Sequence, residues 1–105
     1  MFQRTKSRAK LKGIIFELTL DWVQEKLLQG ACEVTGLPFT LDTGQSSKHN
    51  PWSPTIDRKE STMGYTPENC QVVVWAYNVA KNSWPHSVVQ TMAEALIHHS
   101  RKEVE

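Results

Sequence analysis

Asp57, Asn69 and Asn78, with Arg58 and Lys81 beside them, are the residues whose types and spacing suggest chemistry. All five fall in one stretch, TIDRKESTMGYTPENCQVVVWAYNVAK, residues 55–81. Asp57 offers a carboxylate and Asn78 an amide oxygen. Both are hard donors that suit Mg²⁺ or Mn²⁺ better than zinc. Two such ligands would leave most of an octahedral shell to water and a substrate phosphate, the usual setting of Mg²⁺ in phosphoryl transfer. Arg58 stays protonated and so cannot act as an ordinary base, but it can hold a phosphate and offset developing charge. His49, upstream of Asp57 in a polar stretch, is the first candidate for a base.

Three elements must position these groups. Thr55-Ile56-Asp57-Arg58 alternates apolar and polar, as a half-buried strand does; a regular strand points Arg58 away from Asp57, though a local twist could bring it round. Gly64 and Thr66-Pro67-Glu68-Asn69 read as a turn. Residues 70–74, CQVVV, are rich in β-branched side chains and read as a second strand. From Trp75 the spacing suits a helix with Trp75, Val79 and Asn82 on one face and Tyr77, Asn78 and Lys81 on another. Strand, loop, strand, helix makes a ββα unit over residues 55–82.

At this point the chain resembles a family. Ile56-Asp57-Arg58, Gly64-Tyr65-Thr66, Asn69-Cys70-Gln71-Val72-Val73 and Asn78-x-x-Lys81, preceded by Cys32-x-x-Thr35-Gly36-x-Pro38-Phe39, look like the HNH (ββα-metal, His-Me finger) endonucleases, above all their small phage and bacterial members. The resemblance implies an α+β fold with a ββα-metal core flanked by N- and C-terminal helices. It places Asp57 at the family's metal-binding aspartate and Asn78 at the final letter of HNH. Asn69 falls at the middle letter, bracing the loop. Arg58 stands where the general base, a histidine, is expected. The base is therefore open between His49, a metal hydroxide and a solvent base. Many members carry two Cys-x-x-Cys pairs around the motif. Here only Cys32 of the first pair remains, with Thr35 at its partner position, and the second pair would fall at Val74 and Tyr77. No structural zinc is expected, and apolar packing is expected in its place.

With 105 residues the chain has room for one domain, and 39% apolar content with four tryptophans suits a folded globule. No apolar run approaches 18 residues, so no membrane span is expected. The basic start lacks the apolar segment of a secretory signal, and the host-cell cytoplasm is the expected location. Net charge is +1, but Arg4, Lys6, Arg8, Lys10 and Lys12 give residues 1–12 a charge of +5, which leaves −4 for the rest (+1 − 5). A basic arm on a near-neutral body fits contact with phosphate backbone, with Lys81 as a further contact. Cys32 and Cys70 read as buried small hydrophobes.

Elsewhere the pattern predicts a helix over residues 4–12 stopped by Gly13, and an extended segment to Leu18. A helix capped by Thr19 follows over residues 20–29, with Leu20, Val23, Leu27 and Leu28 facing the core and Gly30 ending it. Residues 41–54 read as a long loop. In the last helix Val88, Val89, Met92, Ala95, Leu96 and His99 repeat at helical spacing, a face expected to pack on the ββα unit or on a second copy. The expected function is a metal-dependent DNA endonuclease of phage or prophage type, nicking with weak sequence specificity. A homodimer would be needed to cut both strands. The alternative is a catalytically inactive module on the same scaffold that binds DNA or a protein, such as a phage DNA-processing or packaging partner.

Overall fold

The computed structural model describes residues 1–41 and 50–104. Its elements are α1 (Phe2–Lys12), α2 (Leu20–Gln29), β1 (Pro54–Arg58), β2 (Cys70–Val74), α3 (Trp75–Lys81) and α4 (His86–Val104). The fold is α+β. β1 and β2 form a two-stranded antiparallel sheet whose register sets Asp57 against Gln71 and Arg58 against Cys70.

The short N-terminal elements end and begin as local chemistry dictates. α1 docks through Thr5 and Ala9, one turn apart, which leaves Arg4, Lys6, Arg8, Lys10 and Lys12 exposed. The Thr19 hydroxyl accepts the Trp22 N–H at 3.1 Å and caps α2. Gly30 ends α2 with φ of 76°, a left-handed conformation that costs a residue with Cβ about 1 kcal/mol or more. α2 is rolled from its expected face. Val23 is buried and Trp22 and Leu27 pack partly against the core, but Leu20 and Leu28 are exposed. The side of α2 that carries Trp22, Val23 and Leu27 meets core partners from β1 and β2, and Leu20 and Leu28 lie on the outward side.

β2 is covered on both faces, which explains its unbroken run of β-branched residues. On one side Leu18, Val23, Ile56, Cys70 and Val72 cluster with Phe16, Phe39 and Tyr65. A second cluster, at the end of β2 nearer α3, joins Cys32, Val73, Val74 and Tyr77 with Val34 and Val89. Each fully buried valine contributes about 1.5–3 kcal/mol, so β2 carries much of the core. The segment before α2 lies along the loop between the strands: Tyr65 N–H donates to Ile15 O and Glu17 N–H to Tyr65 O, both at 2.8 Å. This approach requires Gly64, because a Cβ there would sit 2.9 Å from Ile15 Cβ and 3.0 Å from its carbonyl oxygen.

α4 departs from the first of its two expected packings. Only Val89 of its apolar face reaches the core, while Val88, Met92 and Leu96 stay exposed. Its face does not pack on the β1–β2–α3 unit, because the helix extends away from the body beyond its first turn. Among the described residues no helix is long and apolar enough to cross a membrane.

Candidate functional site

The β1–β2 register places Asp57 and Thr55 on the face of the sheet that α3 covers. α3 begins directly after β2, and its first two N–H groups donate to the carbonyls of Ser53 and Pro51, both at 2.8 Å. That fixes the helix across β1. Asn78 then donates its side-chain N–H to Thr55 Oγ1 at 3.3 Å and to Ile56 O at 3.4 Å. One turn later the Lys81 ammonium reaches Asp57 Oδ1 at 3.0 Å and Arg58 O at 2.8 Å. Gln71, opposite Asp57, donates to Oδ2 at 2.9 Å.

Asp57 and Lys81 are 3% and 1% exposed. The expectation that Lys81 contacts a DNA backbone is therefore corrected: its ammonium points inward and is consumed by Asp57. Its four methylenes fill the helix–sheet junction, and the buried charge is tolerated because a carboxylate and a carbonyl surround it.

The arrangement also bears on the divalent metal that the resemblance implies. Both Asp57 oxygens already accept hydrogen bonds, one of them from a cation. Asn78 turns its N–H₂ rather than its oxygen toward β1. The hollow beside the pair, about 400 Å³, is lined by Val34, Lys59, Gln71, Lys81 and His86, with two ammonium groups and, among the described residues, no carboxylate. A divalent cation at Asp57 would lie against the Lys81 ammonium and repel it. As folded, these residues do not fit Mg²⁺ or Mn²⁺.

Arg58 lies on the opposite face from Asp57. Its guanidinium donates to Met63 O at 3.0 Å and stacks 4.8 Å from the centre of the Tyr65 ring. It holds the inter-strand loop and is not beside Asp57. Asn69 ties the same loop: its side chain accepts from Glu60 N–H at 3.0 Å and donates to Glu60 O at 3.1 Å and Gly64 O at 2.9 Å. His49 lies outside the described residues.

The turn after Cys32 is closed by local hydrogen bonds and packed into the core. Thr35 N–H points at Cys32 Sγ at 3.4 Å, and Gly36 N–H closes the turn on Cys32 O at 2.9 Å. Cys32, Val74 and Tyr77 share one apolar cluster. Both cysteines are free and buried. Burial alone would raise the Cys32 pKa, but hydrogen bonds from Thr35, Val74 and Val34 outweigh it and the net direction is down. Burial pushes Cys70 up to about 11 and Tyr77 up to about 12. Tyr77 shares a 2.9 Å hydrogen bond with His86 Nδ1, which gives that histidine a structural role.

Two residues that the sequence reading did not single out matter here. Gln71 completes the shell of Asp57, and was findable only once the strand register is known. Glu33 accepts Val72 N–H at 2.6 Å and the Lys26 ammonium at 2.8 Å. It carries no local signal, because its partner is distant in sequence.

No protein-family model matches the chain, and no curated protein or solved structure is similar to it.

Proposed function

We propose that this chain is a DNA-binding module on an HNH-like ββα scaffold, with Asp57 held in an internal ion pair. The observation that carries the DNA reading is α1. It presents five exposed cations on a folded helix docked to the body, with no acidic residue in its sequence. The Asp57–Lys81 pair favours binding over cleavage, since it leaves the carboxylate neutralised and out of solvent.

The second reading is a metal-dependent DNA endonuclease. It is favoured by the way β1 and α3 bring Asp57 and Asn78 to one face, with Asn69 bracing the loop between the strands. That reading requires Lys81 to release Asp57. A supercoiled-plasmid assay with Mg²⁺, Mn²⁺ or EDTA, run beside a gel shift, separates the two. The binding module retards DNA equally in EDTA and leaves the plasmid supercoiled. Metal-dependent nicking that disappears in Asp57→Ala would establish the nuclease. Neither binding nor cleavage would direct attention to a protein partner, such as a phage DNA-processing or packaging component.

A further inference from the structure

One concave surface lies apart from the Asp57 pair. A groove of about 770 Å³ runs between α1 and the start of β1 and α3. Arg4 and Arg8, one helical turn apart, stand on one side, and Ser53, Thr55 and Trp75 are on the other. Trp75 is 43% exposed although it opens a helix whose other face is in the core. Among the described residues no carboxylate lines the groove. Ser53 also carries a buried hydroxyl with no partner among the described residues.

We infer that this groove binds an unpaired DNA strand, its phosphates on Arg4 and Arg8 and a base stacked on Trp75. The inference rests on the DNA-binding reading and narrows it from duplex to single strand. Charge selects a polyanion: two guanidiniums line the groove with no opposing acid among the described residues, and Lys12, one turn beyond Arg8, extends the positive surface on the same side of the helix. Shape then selects the strand. The volume, on the scale of a small-ligand site, suits single nucleotides of a strand and not the body of a duplex. An exposed indole beside phosphate-binding groups offers a stacking platform to an unpaired base, whereas bases inside a duplex already have both faces covered.

The test is fluorescence polarisation in EDTA with an oligothymidylate of about twelve nucleotides, the blunt duplex of the same length and the matching oligouridylate. The single DNA strand is expected to bind tightest and to quench tryptophan emission. Trp75→Leu should weaken single-strand binding about tenfold and leave duplex binding unchanged, and Trp75→Phe should keep most of it. Arg4→Ala with Arg8→Ala, both at exposed positions, should weaken the single strand and flatten its salt dependence. Duplex binding as tight as single-strand binding, or an unchanged Trp75→Leu, would overturn the groove while sparing the DNA reading. Tighter binding to the RNA strand would overturn the choice of DNA. Binding to none of the three would overturn both readings.

Discussion

At the scale of single residues, the Asp57–Lys81 pair dominates. Removing one member of a buried ion pair strands the other charge, at about 3–5 kcal/mol. Lys81→Met should therefore lower unfolding free energy by roughly that amount in a denaturant titration. Asp57→Leu combined with Lys81→Met should recover part of the loss, because the double variant leaves no buried charge. Titration gives a second residue-scale prediction. Cys70 and Tyr77 have pKa values raised in the fold, by burial first. A raised pKa means the folded state holds the proton more tightly. The stabilisation is complete below the unfolded values and disappears as pH rises through the folded ones. Melting temperature should thus fall from about pH 9 to about pH 11 as Cys70 is forced to ionise, and Cys70→Val should flatten the fall. Cys32, shifted down, works in the opposite sense. The burial of Lys81 was not legible in the sequence. A lysine closing a helix reads as solvated, and only the fold shows that the turn after Asn78 lies over Asp57.

At the scale of elements, the turn that joins α3 to α4 stores strain. Asn82 has φ 52° and ψ −122°, the values of the first central residue of a type II′ turn, and Trp84 N–H closes that turn on Lys81 O at 2.9 Å. The position suits glycine, and Asn82→Gly should raise stability by about 1 kcal/mol as measured by thermal melting. Gly64→Ala should act in the other direction, by about 1–3 kcal/mol, since the added methyl meets both the Cβ and the carbonyl of Ile15. Elements were the most legible part of this chain. Thr19, Gly13 and Gly30 mark helix ends through their own backbone chemistry, and the CQVVV run marks a strand that must be buried. Which way each element faces was less legible. The rolling of α2 toward Trp22 and the outward course of α4 are decided by partners distant in sequence. Arg58 shows both sides of this: alternation along β1 separates it from Asp57, where a clamp at Asp57 needed a local twist, and nothing local announces its seat on Tyr65.

At the scale of the whole molecule, charge is segregated. The cations of α1 stand on the outside, whereas the cation of α3 is internal. If Arg4, Arg8 and Lys12 meet the phosphates of a single strand, log K should fall with log salt at a slope of about −2. A Lys81→Met protein that remains folded should show the same slope, because Lys81 faces inward, and gel shifts at several salt concentrations measure both. The basic arm was readable from composition alone. Its docking on the body through Thr5 and Ala9, which fixes where those charges point, was not.

The Glu33 latch has a consequence for behaviour in concentrated solution. β1 covers one edge of β2, and Glu33 takes the other, its own N–H bonding Val72 O at 3.1 Å while its carboxylate takes Val72 N–H. Left open, that edge would offer a donor and an acceptor to the strand of a neighbouring molecule, beside three valines of high β-propensity. Glu33 thus acts as a guard against aggregation. Light scattering during storage of Glu33→Ala should rise sooner than that of the wild-type protein.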